Sequence, residues 1–165
     1  MLRKRIIPTL LMIDGGVYKT RKFTNPQYIG DPINIIKIFN DKEVDELILL
    51  DIKVSKFNLE PNFNLIEKIA GECFMPLCYG GGIRNIDQAS KLFSLGIEKI
   101  SIQTQAFVNI DLISQVAKIY GSQSVAISID VKRNIFGKIM MYETSSRKFS
   151  KRNLDEFIDQ CIDSG

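Results

Sequence analysis

Two aspartates, Asp51 and Asp130, each close an apolar run; so do the triplet Gly80-Gly81-Gly82 and the pair Gln103-Thr104. Carboxylates, a glycine turn and an amide beside a hydroxyl are the parts of a site that holds a phosphate and moves protons. Backbone N–H groups of Gly81 and Gly82, with Gln103 and Thr104, can meet phosphate oxygens without a cationic side chain. A lone aspartate at a strand end is more often a helix cap; it is the set that points to a site. The glycines call for a reason of their own, since each costs roughly 0.5–1 kcal/mol against alanine in regular structure. Either the chain turns where a Cβ is forbidden, or a ligand comes close to the backbone.

Composition narrows the chemistry further. The 165 residues contain no histidine. That removes Ser-His and Cys-His nucleophile pairs, histidine bases and histidine metal ligands. Carboxylates, lysine, tyrosine or cysteine must carry any acid–base work, and no metal and no cofactor is expected. The net charge of +3 is small and the cations are scattered among acids, so no nucleic-acid face is expected. Cys73, Cys78 and Cys161 form no CxxC pair, which fits buried thiols in a reducing compartment. The basic start followed by Ile6–Ile13 imitates a secretion signal, but it is short, holds Pro8 and ends at Asp14. No apolar run reaches membrane-spanning length. A cytoplasmic protein is expected, with no membrane partner.

The elements that must position these residues alternate between strand and helix. Strand one is expected over Arg5–Ile13, followed by a long loop carrying Asp14, Gly15, Gly16 and Lys19. A helix starts at Asp31-Pro32, a cap followed by proline at the first helical position, and runs to Asn40. Strand two is Glu46–Ile52, its helix Phe63–Gly71; strand three is Met75–Tyr79, then the glycines and a helix capped by Asn85 and ended by Gly96. Strand four is Lys99–Gln103 and its helix Asp111–Tyr120, ended by Gly121; strand five is Ser124–Asp130. A polar, hairpin-like excursion over Lys132–Ser150 and a last helix from Asn153 complete the chain. Strands two and five are near-continuous apolar runs, as parallel strands covered on both faces are. The alternation means βαβ units on a parallel sheet. Two architectures compete, an open doubly wound sheet and a (β/α)8 barrel, which needs about 250 residues. As a barrel, residues 1–165 would be its first five βα units, with open edges at strands one and five.

In such a sheet function gathers at the carboxyl ends of the strands. Those ends carry Leu11 and Asp14, Asp51, the glycines, Gln103-Thr104 and Asp130. The opposite rim carries Arg5, Glu46 and Lys99 at comparable depth. They are either solvated strand-edge charges or a ring of mixed sign around a barrel's bottom mouth.

These residues carry a resemblance. The chain resembles the cyclase subunit of imidazole-glycerol-phosphate synthase along its whole length, in KRIIP (Lys4–Pro8), IDGGVYK (Ile13–Lys19), GDPI (Gly30–Ile33), DELILLDI (Asp45–Ile52), GGGI (Gly80–Ile83), EKISI with Thr104, GSQSV (Gly121–Val125) and SIDVKR (Ser128–Arg133). The resemblance implies a (β/α)8 TIM barrel. It implies a glutaminase subunit docked at the amino-end rim, ammonia passing through the barrel, and a phosphorylated small-molecule ligand cleaved and cyclised at the top. Carried over residue by residue, Asp130 falls on one catalytic carboxylate, Lys19 on the long-loop lysine and Asp51 on the strand-two acid. Gly82 and Thr104 match one phosphate site, with Gln103 where the family usually has Asn. Arg5, Glu46 and Lys99 match three of the four members of the charged ammonia gate. The departure is Leu11, at the position of the family's other catalytic carboxylate. A gate kept and an acid lost is similar to a branch tied to bacterial surface-polysaccharide synthesis, to which the runs Lys22–Leu47 and Glu72–Ile83 also look alike. There the resemblance implies ammonia delivery to a third, sugar-amidinating enzyme. The alternative is a true cyclase, a lyase of histidine biosynthesis. A reading from another class keeps a phosphate-binding half-barrel with no ammonia role, in which charge reversal at Arg5, Glu46 or Lys99 changes solubility alone. The isomerase cousins are disfavoured, because they too use a carboxylate at the strand-one position.

Overall fold

The structure, a computed structural model, describes residues 3–21, 24–143 and 148–165. Lys22 and Phe23, at the head of the run Lys22–Leu47, and residues 144–147 of the expected excursion lie outside the described residues. The chain resolves into two compact units, Met1–Ser101 and Ile102–Gly165.

The first unit is built of βα units on a largely parallel sheet. Its strands are β1 (Thr9–Ile13), β2 (Gly16–Arg21), β3 (Thr24–Gly30), β4 (Leu47–Asp51), β5 (Leu77–Gly80) and β6 (Lys99–Ile102), ordered β3-β2-β1-β4-β5-β6. β1, β4, β5 and β6 run parallel, with Leu11 opposite Leu50, Ile48 opposite Cys78 and Cys78 opposite Lys99. This is the α/β class expected from the sequence, and the parallel βα frame of a (β/α)8-barrel family member. The helices are α1 (Pro32–Asp41), α2 (Phe63–Glu72) and α3 (Ile86–Ser94). Asp31 caps α1 by accepting the N–H groups of Ile33 and Asn34 at 2.9 and 3.2 Å, and Asn85 caps α3 through the N–H of Gln88 at 2.9 Å.

Strand pleating sorts the side chains of this sheet. Leu10, Met12, Leu47, Leu49, Leu77, Tyr79 and Ile100 share one face and are all buried. On the other face Leu11, Ile48, Leu50, Lys99 and Ser101 are half-buried, and of the opposed positions Cys78 and Gly80 are covered. The hydrophobic core of the unit therefore lies on the first face.

The loop expected after strand one is instead the antiparallel pair β2 and β3, with Lys19 opposite Gln27. The segment is too polar to read as a buried strand, and β3 is exposed along almost its whole length. The turn at Asp14 and Gly15, both with positive φ, pairs β2 antiparallel with β1, Leu11 opposite Tyr18. Strand one is also shorter than expected, because Arg5–Pro8 stay outside the ladder.

The second unit begins with α4 (Thr104–Val108), a short helix that the sequence reading did not foresee, and α5 (Asp111–Tyr120). A single 3-10 turn, Ser122–Ser124, leads into β7 (Val125–Ile127), only three residues long and half-buried rather than covered on both faces. The N–H of Ser128 donates to the carbonyl of Ile102 at 2.9 Å. The expected excursion is an antiparallel sheet of β8 (Val131–Arg133), β9 (Ile139–Glu143) and β10 (Lys148–Phe149), ordered β10-β9-β8. Asn153 caps α6 (Leu154–Asp163), whose Phe157 stacks on Phe107 at 4.6 Å between ring centroids. Among the described residues no helix is long and apolar enough to cross a membrane.

Candidate functional site

At the amino ends of the first unit's strands Glu46 is a buried carboxylate, 3% exposed. The Lys99 ammonium lies 2.7 Å from its Oε1 and the Arg5 guanidinium 3.6 Å from its Oε2. One acid is thus shared by two cations, one on the neighbouring stretch before β1 and one opening β6. An isolated carboxylate at this depth would be strongly penalised; the pairing offsets that. Cys78 sits beside the pair, opposite Lys99 across the ladder. Burial pushes its thiol up to about 12, with Lys99 lowering it and Glu46 raising it. A thiol buried and held protonated in this way is a poor nucleophile.

The carboxyl ends are built differently. Leu11 shares its face with Leu50, so an apolar side chain occupies the place where an acid was sought. Asp14 does not replace it. Its backbone is left-handed, φ 49°, and its carboxylate grips the Lys53 ammonium at 2.6 Å. Asp51 pairs with Met12 in the register, on the opposite side of the sheet from Leu11. Its Oδ1 accepts the N–H groups of Lys53 and Val54 at 3.2 and 3.3 Å, folding the next residues into a turn. Desolvation raises the Asp51 carboxyl above its ordinary value. The Val54 and Lys53 N–H groups oppose that, Asp14 adds to it, and the Lys53 charge opposes it again. Lys19 stands exposed on β2. The fold therefore does not gather Leu11, Asp51 and Lys19 around one point on a common face.

The glycine turn has a packing cause. A Cβ on Gly80 would meet Leu50 Cδ2 at 2.8 Å and Ser101 Cβ at 3.0 Å. On Gly81, φ 133°, it would lie 2.5 Å from the Asp51 carbonyl oxygen, and on Gly82, φ 71°, 2.2 Å from Val54 Cγ1. Gly80 leaves room for β4 and β6, Gly81 for the end of β4 at Asp51, and Gly82 for the segment after it at Val54. The Gly82 N–H, expected to face a ligand, donates to Ser55 Oγ at 2.9 Å.

Arg84 completes the arrangement and was not singled out from the sequence. Its guanidinium donates to Asn58 Oδ1 at 2.6 Å, to the Leu59 carbonyl and, at 3.4 Å, to the Gly82 carbonyl. The signal available was its place two residues after the last glycine, where a long donor reaches back across the turn. Tyr79, next to Gly80, has a buried hydroxyl with no partner among the described residues. Burial, then the Asp51 charge, raises its phenol.

In the second unit Gln103 precedes α4 and Thr104 is its first residue. The Gln103 amide donates to Asp130 Oδ2 at 2.7 Å, so these two expected site residues do meet. Asp130 follows β7 and opens the path into β8. No group of three or more acids and cysteines that could hold a metal occurs among the described residues.

Residues 5–165 match the family described as Histidine biosynthesis protein. A relative from Pseudomonas aeruginosa, provisionally named imidazole glycerol phosphate synthase subunit hisF2, is 50% identical over 165 residues, covering 100% of this chain and 66% of the relative. One from Vibrio vulnificus, provisionally named hisF3 of the same synthase, is 47% identical over 161 residues, 97% of this chain and 62% of its own length. The imidazole glycerol phosphate synthase subunit HisF of Streptococcus sanguinis is 32% identical over 165 residues, 100% of this chain and 66% of its own length. The chain thus spans slightly less than two thirds of the length of these relatives. It belongs to the histidine biosynthesis protein family, and the relatives named here are HisF-type subunits.

Proposed function

We propose that the protein is the cyclase-type subunit of a glutamine amidotransferase complex that passes ammonia rather than cyclising it. In this reading a glutaminase partner docks at the amino-end rim. Ammonia enters past Arg5, Glu46 and Lys99 and moves along the sheet face that carries Ile48, Cys78, Leu50 and Ser101. It leaves at the carboxyl ends for a sugar-amidinating enzyme of surface-polysaccharide synthesis. Phosphate contacts at Gly81, Gly82, Gln103 and Thr104, and acid–base roles for Asp130, Asp51 and Lys19, belong to the same reading as the family's inherited site. Residues 1–165 are its first five βα units.

The observation that carries the reading is the contrast on one sheet face. Glu46 is kept buried between two cations at one end, and Leu11 stands at the other. A buried ion pair is poor value as a stability device, so its retention beside a lost acid fits transport better than turnover. The second reading is a true cyclase of histidine biosynthesis. What favours it is the name of the relatives, an imidazole glycerol phosphate synthase subunit in each case.

One assay separates them. The full-length gene product is given ammonia and the synthase's ribulosyl-formimino carboxamide substrate, with and without Leu11→Asp. The delivery reading expects no turnover from the parent and a gain from Leu11→Asp, about 10²–10⁴-fold for a restored acid or base. Turnover by the parent returns the protein to histidine biosynthesis.

A further inference from the structure

Residues 52–59 lie as a strap over the glycine turn. The Asp51 carboxylate holds one end through the Lys53 and Val54 N–H groups. Arg84 holds the other through Asn58 and the Leu59 carbonyl. The Leu59 N–H closes the strap on the Val54 carbonyl at 2.9 Å. In the middle, Ser55 Oγ takes the Gly82 N–H at 2.9 Å.

Two consequences follow from that contact. Gly82 is buried and its N–H is engaged, so an anion reaching the turn meets Ser55 first, an exposed residue. A serine hydroxyl offers one donor and two acceptor positions. Accepting from Gly82 leaves its own proton to give, and no acceptor for it occurs among the described residues. The electrostatics agree. The Arg84 guanidinium bonds only neutral oxygens, and none of the ion pairs among the described residues includes it. It thus makes no ion pair, and its positive charge beside the turn favours an anion there.

We propose that Ser55 is an anion-contacting residue of the glycine-turn site, its O–H donating to a phosphate oxygen while the Gly82 N–H donates to Ser55 from behind. Arg84 is the positioning residue that keeps the strap at that distance. Donation from Gly82 polarises the hydroxyl and strengthens its own hydrogen bond. The inference rests on the phosphate reading of the turn given above.

The test uses the full-length gene product and inorganic phosphate, followed by the Gly82 amide in proton–nitrogen correlation spectra. The parent is expected to bind, with the Gly82 signal moving. Ser55→Ala should bind about tenfold more weakly, the worth of one hydrogen bond to a charged group. Ser55→Thr, which keeps the hydroxyl, should restore binding. Arg84→Met should also weaken binding, with the loss shrinking as salt is raised. Equal or tighter binding by Ser55→Ala overturns the inference alone, since Ser55 would then only compete for the Gly82 N–H. A parent that binds no phosphate, its Gly82 signal unmoved, brings down the phosphate reading and this inference together.

Discussion

The two ends of the first unit's parallel strands treat charge in opposite ways. At the amino ends a carboxylate is buried and two cations are brought to it from separate stretches of chain. At the carboxyl ends the corresponding face position is leucine, and both nearby carboxylates are occupied elsewhere: Asp14 by Lys53, Asp51 by backbone N–H groups. Replacing a buried ion pair with apolar side chains is often neutral or stabilising, so stability alone does not explain why Glu46 stays. Leu11 needs no such explanation, since an apolar residue on a half-buried strand face costs nothing. On the proposed delivery reading, the amino-end rim is the one constrained by something beyond folding, and Leu11 marks where the carboxyl-end rim is not.

The comparison breaks most directly at Lys99. Lys99→Met leaves the Glu46 carboxylate with only the longer Arg5 contact and should cost about 3 kcal/mol in urea unfolding, the low end for a broken buried pair because Lys99 keeps some exposure. Adding Glu46→Leu should recover most of that loss. A cost for Lys99→Met below about 1 kcal/mol would make the rim an ordinary solvated pair, and the contrast between the two ends would vanish.

A pair of alanine substitutions sharpens the other end. Gly82 and Gly137 have nearly the same φ, 71° and 76°, but a Cβ meets Val54 Cγ1 at 2.2 Å in the first and nothing within 4 Å in the second. Gly137→Ala should therefore cost only the left-handed backbone, about 1 kcal/mol. Gly82→Ala adds displacement of the strap and should cost about 2 to 3 kcal/mol. Equal costs would mean that the strap gives way freely and that the glycines answer to backbone conformation alone.

A smaller effect tests how Asp51 is used. Its carboxyl is raised above the ordinary value, chiefly by burial. Between the unfolded value and the raised native one the native state holds the extra proton, so stability falls as pH rises through that window and is level above it. Asp51→Asn keeps the Oδ1 acceptor for Lys53 and Val54 and removes the ionisation. Melting temperatures should match the parent's below the window, exceed them above it, and lose the fall between. A variant less stable than the parent at neutral pH would mean that the Asp51 charge is held favourably, by Lys53, and that this rim too stores a wanted charge.

What was legible in the sequence follows the physics that is local. Asp31-Pro32, Asn85 and Asn153 fixed the helix starts because a cap acts within three residues of itself. The apolar run of β4 announced a buried parallel strand; the run Ser124–Asp130 promised the same, yet β7 is three half-buried residues. The pairing of β2 with β3 was not legible, since exposed strands carry no apolar alternation, nor was the turn from β1 into β2, where Asp14 adopts positive φ without being glycine. At the site, the residue types came through and their engagements did not. That Gly82 is sterically shut by Val54, or that Arg84 reaches Leu59, depends on contacts 25 or more residues apart. Asp130 and Gln103 were found separately from their strand-end positions; their hydrogen bond emerges only in the folded chain.

The smallest effect lies beneath the glycine turn. Tyr79 shares the core face with Leu49 and Ile100, and its hydroxyl is buried without a partner among the described residues. An orphaned buried O–H costs roughly 1–3 kcal/mol against a satisfied one, while removing it along with its unmet need is close to neutral or favourable. Tyr79→Phe should therefore leave stability unchanged or raise it by up to about 1 kcal/mol in urea unfolding. It should leave the Glu46 pair untouched, because Tyr79 stands on the face opposite Cys78 and Lys99. A loss of 1 kcal/mol or more would mean that the hydroxyl does have a partner, a trapped water joining it to Asp51 being the nearest chemistry. The carboxyl-end rim would then hold a buried polar network of its own, and the difference between the two ends would be one of degree.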